Sequence, residues 1–371
     1  MIKKQKLPKV DRYVLWLVLS LLVIGLLTLS SASIVLSYQR FHNNYYYLLR
    51  QFAFGAVPGL ALMYLFSRID YHKWQKTAPL LVIVGIIMLV AVLIPKIGYK
   101  VGNARRWIDF GLFLFQPAEF VKLAMILYLA SWYDRRKHHV HDLYYGYLPS
   151  LAIVGLVTGL IILEPDIGTM LVLASIAAVM FFIGGVRMRY IYVTAASALL
   201  VLWILIKAAP YRAQRFLAFM NPATDAQGIS YQINQALLSI GSGGFWGLGF
   251  GQSRQKYSYL PEPIGDSIFA IMSEELGFIR ICAILLLFLF LAYRGLKVAR
   301  TAPDIFGKLV AGGITSWLIF QALINIGGII GLIPLTGIPL TFISYGSTSL
   351  LISLASMGIL LNISRYAEYE I

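Results

Sequence analysis

The sequence predicts an all-α integral membrane protein with about ten membrane-spanning helices. Hydrophobic residues make up 59% of the chain and charged residues only 13%, and the mean hydropathy is +0.76, values far outside the usage of soluble domains. The apolar residues also form runs of about 20, the length that an α-helix needs to cross a hydrocarbon core of ~30 Å. We expect residues 1–371 to form a single transmembrane domain.

The predicted spans fall into two groups along the chain. The first span, Tyr13 to about Leu36, contains no charged residue. The others lie near Tyr46–Phe66, Ala78–Ile94, Phe113–Trp132, Leu148–Leu163, Ile167–Gly184, Tyr190–Ala208, Ser267–Tyr293, Lys308–Ile330 and Thr341–Ile363. Between the seventh and eighth spans, residues 209–265 form a polar stretch that includes one amphipathic segment, Tyr231–Ile240, and a glycine-rich one. We expect this stretch to be a structured loop packed on the bundle or lying on its surface.

The distribution of Lys and Arg between alternate loops predicts the orientation. With the N-terminus inside, roughly twice as many of these residues fall in inner loops as in outer loops, as expected because cytoplasmic loops retain the excess. Both termini are therefore predicted to be cytoplasmic, and residues 209–265 extracytoplasmic. The outer loops Lys96–Arg106 and Arg212–Lys256 are nonetheless basic. This indicates an anionic ligand such as a phosphate or diphosphate, or anionic lipid headgroups.

Composition also excludes several classes of function. The formal net charge of +15 does not indicate nucleic-acid binding, because the basic residues lie between apolar runs rather than along a groove. Cys282 is the only cysteine, which excludes an intramolecular disulfide and a cysteine-based zinc site. The histidines lie in connecting segments without metalloprotease spacing.

Two charged residues inside the fourth predicted span are functional candidates, because charges at membrane depth are costly. Glu119 and Lys122 are three residues apart, so they share one helix face and can neutralise each other. The pair can line a polar cavity that contacts substrate, or it can be an ion pair that locks helices together. The sequence leaves both interpretations open.

Glu164, Pro165 and Asp166 interrupt what would otherwise be one very long apolar run. Proline ends the preceding helix, which places two carboxylates at the outer surface. They can bind a cation, or Asp166 can cap the helix that starts at Ile167. We favour capping for Asp166.

The segment Gly243–Gly277 has the highest density of chemically useful residues. Its glycines permit close backbone approach, Arg254 and Lys256 supply positive charge, and Glu262 and Asp266 supply carboxylates beside a predicted helix start. These residue types suit a phosphorylated glycan substrate. Asp266 can alternatively be the N-cap of the eighth span.

Further polar residues lie inside the eighth and ninth spans. Glu274 and Glu275 fall two turns into the eighth span, with Arg280 beyond them. One glutamate is expected to face a polar cavity or to pair with a basic neighbour, because a carboxylate facing lipid is costly. Gln321 and Asn325, four residues apart on the ninth span, can share a polar face.

Several separated motifs resemble the SEDS family of shape, elongation, division and sporulation proteins, which comprises FtsW, RodA and SpoVE. The resemblance covers nearly the whole chain, and KYSYLPE and the closing motif are more similar to FtsW than to RodA. The motifs are GNARRWIDFG, QPAEFVKLAMILYLA, EPDIGT, SIGSGGFWGLGFGQSRQKYSYLPE, DSIFAIMSEELG and IPLTGIPLTFISYGSTSLL. The chain departs from the usual family residues at Ile264, Gly265, Ser267, Arg280, Thr341 and Ser347.

The resemblance implies ten transmembrane helices in a bacterial cytoplasmic membrane, with both ends cytoplasmic. It implies that the protein polymerises lipid II, an undecaprenyl-diphosphate-linked disaccharide peptide, into glycan strands during division or elongation, alongside a class B penicillin-binding protein. Asp266 matches the family's essential aspartate, Glu119 and Lys122 match its characteristic glutamate and lysine, and Arg105 and Arg106 match outer-loop arginines.

Glycan polymerisation needs a general base for the acceptor hydroxyl and cations for the departing diphosphate. We assign the base to Asp266, which must be partly buried or specifically hydrogen-bonded to rise above its reference pKa of ~3.9. Predicted substrate contacts are Arg105, Arg106, Glu119, Lys122, Arg254, Lys256 and Glu262; predicted supporting residues are Glu164, Asp166, Glu274 and Glu275. A divalent cation, Mg²⁺ or Mn²⁺, can assist at the diphosphate, although the sequence identifies no ligands for it.

Two other functions are compatible with the same residues. A flippase for a lipid-linked precursor would also need internal charges and a cavity, but it requires alternating access, and the charged motifs here concentrate on the predicted outer half. A scaffold that activates a penicillin-binding protein explains the carboxylates less well. We therefore favour an enzyme.

Overall fold

The computed structural model describes residues 10–101, 104–208, 210–220 and 228–367 as a bundle of long helices around one apolar core. The helices are α1 (Arg12–Ala32), α2 (Ile34–Phe41), α3 (Tyr46–Gln51), α4 (Val57–Arg68), α5 (His72–Leu93), α6 (Pro117–Arg135), α7 (Leu148–Leu163), α8 (Ile167–Ile183), α9 (Met188–Ala208), α10 (Pro210–Met220), α11 (Ile229–Ser242), α12 (Ile268–Thr301), α13 (Ile305–Ile329) and α14 (Ser347–Tyr366). The strands are β1 (Gly98–Val101), β2 (Ala104–Asp109) and β3 (Leu114–Phe115).

The multi-pass class predicted from the apolar runs is confirmed. Within the described ranges, eight helical segments are long and apolar enough to cross a membrane, including α3 and α4 joined through a π-turn. Two further predicted spans are the helices α6 and α8. The first carries Glu119 and Lys122 among its charges. The second has 17 residues, which gives it a length of about 26 Å.

The structure corrects several predicted boundaries, two of which have a clear local cause, and adds a small sheet. The fourth span begins at Pro117, not Phe113, because proline suits the first helical turn and the preceding residues pair as β3. The last span begins at Ser347, not Thr341, after an irregular segment in which Phe342 has φ +64°. The antiparallel order β1-β2-β3 lies in the basic loop after α5. Strands this short leave no clear alternation in the sequence.

The first and the last described residues of the chain lie at the same end of the bundle. The backbone N–H of Asp11 donates to Ser364 Oγ at 3.0 Å, and the Asp11 carboxylate pairs with Arg294 near the end of α12. Because α12 starts beside Asp266, that aspartate lies at the opposite end. We call the end with Asp11 inner and the end with Asp266 outer, following the orientation predicted from charge.

Cysteine labelling should confirm this orientation. We expect a single cysteine at the exposed Tyr257, in a Cys282→Ser background, to react with a membrane-impermeant maleimide in intact cells. The matched cysteine at the exposed Tyr144, between α6 and α7, should react only after the inner face is opened. The reverse pattern would contradict the orientation and the placement of the site.

The long outer stretch is structured where it is described. The predicted helix at Tyr231–Ile240 is confirmed as part of α11. The glycine-rich residues that follow pack on a break in α12, where Gly277 has φ +76°. The glycine-rich segment and α12 exchange backbone hydrogen bonds around this break. Leu248 N donates to Glu274 O at 2.9 Å, and Phe278 N donates to Gly244 O at 2.9 Å. A Cβ on Gly247 would lie 2.3 Å from Glu275 O, so the close approach requires glycine.

Candidate functional site

Asp266 lies at the outer end of the bundle, held by groups from two other helices. Its Oδ1 accepts a hydrogen bond from Gln232 Nε2 of α11 at 3.3 Å. Its backbone carbonyl accepts one from Asn325 Nδ2 of α13 at 2.9 Å. The N-cap of α12 is Ser267, so Asp266 stands one residue outside the cap position. This geometry favours a chemical role over the capping alternative.

The surroundings of Asp266 make it a better base than an exposed aspartate. Burial and the nearby charge of Glu262 raise the pKa of Asp266 to about 6, although Arg215 and the Gln232 hydrogen bond act in the opposite direction. A carboxylate with this pKa is mostly ionised at neutral pH and still accepts a proton more readily than an ordinary aspartate. The predicted partial burial of Asp266 is confirmed.

The segment before Asp266 is held by the irregular chain between α13 and α14. Ser344 Oγ donates to the carbonyl of Gly265 at 2.7 Å, and the backbone N–H of Tyr345 donates to the carbonyl of Ile264 at 2.8 Å. The buried Gln51 Nε2 in turn donates to Ser344 O at 3.3 Å. Because Ile264 and Gly265 contribute backbone carbonyls, these bonds do not depend on which side chains occupy the two positions.

Glu119 and Lys122 form a buried ion pair, as the sequence predicts. Lys122 Nζ lies 2.8 Å from Glu119 Oε1, and both side chains are 1% exposed. The ammonium also donates to Gln321 Oε1 at 2.7 Å and lies 5.0 Å from the centre of the Trp317 ring. The prediction that both residues face the bundle interior is confirmed. Their contribution to activity stays a prediction.

Lys256 is part of a second buried network rather than a surface cation. Its Nζ lies 3.1 Å from Glu275 Oε1 and donates to Ser31 Oγ at 3.0 Å and Gly251 O at 2.7 Å. The expected pairing of one glutamate with a basic residue is therefore confirmed. The prediction that Lys256 binds substrate is not supported, because its donors are engaged inside the protein.

Glu274 joins the glycine-rich loop to α12 from the same side. Its Oε2 accepts from Ser239 Oγ at 3.2 Å and from Ser253 Oγ. Its Oε1 accepts from the backbone N–H of Arg254 at 3.1 Å. Glu274 and Glu275 thus support the loop, as predicted. The side chain of Arg254 itself is exposed.

Arg106 braces the turn between α7 and α8. Its Nε donates to the carbonyl of Glu164 at 3.1 Å, another guanidinium nitrogen donates to Pro165 O, and Nη1 lies 3.7 Å from Asp166 Oδ2. Asp166 accepts from Thr169 N at 3.0 Å, which confirms that it caps α8. This engagement favours a structural role for Arg106 over the predicted substrate contact. The neighbouring Arg105 is half-buried on β2.

Glu164 is buried in this turn without a hydrogen-bond partner in the described part of the chain for either carboxylate oxygen. Burial and the charge of Asp166 raise the pKa of Glu164 to about 8, against the opposing effect of Arg106. The folded protein thus keeps this proton up to about pH 8, whereas the unfolded chain releases it near 4.5. Since the unfolded state binds fewer protons in that window, stability falls as the pH rises through it.

Replacing this carboxyl group should flatten the dependence of stability on pH. We expect the Tm of Glu164→Gln to fall less than that of the wild type between pH 5 and pH 8, because glutamine resembles the protonated glutamate but cannot ionise. Thermal unfolding in detergent across this range measures the difference. Parallel curves for the two proteins would show that Glu164 does not carry this proton.

The structure thus separates the predicted site residues into two groups. At the outer end it brings Asp266 together with Glu262, while Arg106, Lys256, Asp166 and both glutamates of α12 hold the surrounding loops. Sequence reasoning missed the roles of Gln232, Arg215 and Asn325 beside Asp266. Arg215 and Asn325 carried weak signals, as a basic residue in an outer loop and a polar residue in a span. Gln232 carried none.

The described residues contain no group of three or more His, Cys, Asp or Glu side chains arranged to hold a metal ion. The exposed Glu262 and the partly buried Asp266 belong to one turn, in which the backbone N–H groups of Gly265 and Ser267 both donate to the carbonyl of Glu262. Mg²⁺ is commonly bound by one or two carboxylates together with substrate phosphates. Glu262 is the residue of this turn that would hold a cation arriving with a phosphorylated substrate, and a metal requirement stays a prediction.

Comparison with known proteins shows that the whole chain resembles one group. The profile of the cell cycle protein family FtsW/RodA/SpoVE matches residues 12–369. Stage V sporulation protein E of Bacillus subtilis is 42% identical, with 97% of this chain and 98% of that protein covered. The probable peptidoglycan glycosyltransferase FtsW of Trichlorobacter lovleyi is 40% identical, with 98% and 95% covered.

Solved structures share the fold. A chain from the structure described as "Structural coordination of polymerization and crosslinking by a peptidoglycan synthase complex" is similar with a TM-score of 0.80 and 27% identity, covering 97% of this chain and 99% of that one. The rod shape determining protein RodA of Thermus thermophilus is similar with a TM-score of 0.72 and 26% identity, covering 97% and 98%.

The fold and the site define a multi-pass membrane protein with a partly buried carboxylate of raised pKa at one end of its helical bundle. Among membrane proteins of this class, the profile match and the relatives that align with nearly the whole chain identify one family. The chain belongs to the FtsW/RodA/SpoVE family of cell cycle proteins.

Proposed function

We propose that this peptidoglycan glycosyltransferase polymerises lipid II into glycan strands at the outer face of the bacterial cytoplasmic membrane, with Asp266 as the general base. Several relatives that match over nearly the full chain carry the enzyme name. The observation that carries the proposal is the position of Asp266, a carboxylate of raised pKa held at the outer end of the bundle. A lipid-anchored diphosphate and a water-exposed sugar meet at such a depth.

In this mechanism the 4-hydroxyl of the acceptor sugar attacks the anomeric carbon of the donor. A new glycosidic bond forms, the bond between that carbon and the lipid diphosphate breaks, and the hydroxyl proton passes to Asp266. Arg215 lies beside Asp266 and would stabilise the departing diphosphate. Arg254, whose side chain is exposed, is a second candidate for this role. A divalent cation held by Glu262 and the substrate diphosphate would supply further positive charge there.

The partner we propose is a class B penicillin-binding protein that crosslinks the new strands. The support is the similarity to a chain from a structure described as a complex that coordinates polymerisation and crosslinking.

A reconstitution assay tests the proposed function. Purified protein, with and without a candidate penicillin-binding protein, is given labelled lipid II in detergent, in the presence of Mg²⁺ or of EDTA. We expect polymer, seen as a ladder on a gel. Translocation of lipid II in vesicles without polymer would support the flippase function instead. If the only activity detected in the mixture belongs to the penicillin-binding protein, the scaffold function would be supported. Equal polymer with EDTA would contradict the cation.

A further inference from the structure

We infer that Asn325 is the positioning residue for Asp266, an inference that rests on the proposed function. The Asn325 side chain is 3% exposed on α13. Its amide nitrogen donates to the carbonyl of Asp266 at 2.9 Å and to the carbonyl of Ile338 at 2.8 Å. One NH₂ group therefore uses both of its hydrogens to join two segments that are far apart in the sequence.

The helix that carries Asn325 presents a continuous polar stripe towards this junction. Trp317, Gln321 and Asn325 follow at intervals of four residues. Trp317 Nε1 donates to Gln321 Oε1 at 2.8 Å, and Gln321 Nε2 donates to the carbonyl of Pro339 at 3.1 Å. Two side-chain amides one helical turn apart thus donate hydrogen bonds to the adjacent carbonyls of residues 338 and 339. These bonds attach the loop after α13 to that helix.

The same loop contacts the reactive carboxylate. Gly337 has φ +74°, and a Cβ built on it would lie 3.9 Å from Asp266 Oδ2 and 3.8 Å from Arg215 Nη1. By joining the carbonyls of Asp266 and Ile338, Asn325 sets the distance between this loop and the carboxylate. A displacement of about 1 Å in such a group can reduce a rate by ~100-fold.

The chemistry of the amide explains why asparagine suits the position. Asn325 Oδ1 has no hydrogen-bond partner among the described residues, so the protein uses the residue as a double donor. Aspartate has the same shape but no hydrogen to donate when ionised. Asn325→Asp therefore places acceptors opposite two carbonyl oxygens while changing the side-chain volume very little.

The test compares Asn325→Asp and Asn325→Ala with a matched control. Asn362 is also buried, and it donates to the carbonyl of Ser67 at 3.0 Å near the inner end. We expect the Asn325 variants to lower kcat for lipid II polymerisation by about 10- to 100-fold with little change in KM, and Asn362→Asp to stay within about twofold of the wild type. In a background of Asp266→Asn, Asn325→Ala should cause no further loss, because the two residues act as a unit.

Hydrogen exchange separates failure of this inference from failure of the proposed function. We expect Asn325→Asp to speed amide exchange in peptides covering residues 260–268 and 334–342, relative to Asn362→Asp of similar Tm. Unchanged exchange, or kcat losses that add fully to that of Asp266→Asn, would overturn the positioning role. Faster exchange together with an active Asp266→Asn protein would retain the positioning of the loop and reject Asp266 as the base.

Discussion

Asp266→Asn should reduce lipid II polymerisation by about 100-fold or more, the scale expected when a general base is lost. Asparagine has nearly the same shape and can still accept the hydrogen bond from Gln232, but it cannot take up a proton at neutral pH. The backbone bonds of residues 264–266 do not involve the replaced group. We therefore expect normal folding and normal binding of the partner.

The pH dependence of the wild-type rate provides a second measurement on the same residue. A base must be ionised to act, and the pKa of Asp266 is raised to about 6. The rate should be nearly constant above that pH and should fall about tenfold for each unit below it. Asp109→Asn removes an exposed outer carboxylate on β2 and should keep the wild-type rate and profile. Near-normal polymerisation by a well-folded Asp266→Asn protein would reject the base.

Lys122→Ala should strongly impair both stability and polymerisation. Removing one partner of a buried ion pair typically costs 3–5 kcal/mol, because the remaining charge has no compensation. Here the remaining charge is Glu119, which is 1% exposed and whose Oε2 lacks a hydrogen-bond partner in the described residues. The Lys122 ammonium also orients Gln321, whose amide holds the loop beside Asp266. The Tm in detergent and the polymerisation rate measure the two effects.

A double variant shows whether Lys122→Ala is harmful because it leaves Glu119 without a counter-charge or because the protein needs the two charges themselves. Replacing a buried ion pair by neutral groups of similar volume is often tolerated. We therefore expect Glu119→Gln combined with Lys122→Met to recover most of the Tm and much of the activity lost in Lys122→Ala. Normal polymerisation by Lys122→Ala and Glu119→Ala singly would contradict a supporting role for the pair.

The transmembrane class and the local ion pair could be predicted from sequence because both depend on short-range patterns. A run of about 20 apolar residues is sufficient evidence for a span, and residues three apart share a face on any helix. The capping role of Asp166 was predictable for the same reason, since an N-cap residue and the helix N–H groups that donate to it are adjacent in the chain. The motifs that carry the family resemblance added Asp266 as the candidate base.

The roles of Lys256 and Arg106 could not be predicted, because their partners come from other elements. In the sequence both are basic residues in outer loops, which suggested contact with an anionic substrate. The fold instead brings Glu275 of α12 against Lys256, and the turn after α7 against Arg106. Most buried carboxylates and carbonyls are paired with a hydrogen-bond donor, and that donor can come from any part of the chain.

The surroundings of Asp266 show which features the sequence predicts and which depend on the tertiary structure. Composition, apolar runs and motifs predicted a multi-pass membrane protein and identified Asp266 as the candidate base. Only the tertiary structure decided what holds this segment: Gln232 bonds the Asp266 carboxylate from 34 residues away, Asn325 bonds the Asp266 carbonyl from 59, and Ser344 bonds the carbonyl of Gly265 from 79. Hydrogen bonds over such separations depend on how the helices pack, and packing leaves no periodic signal in the sequence of any single helix.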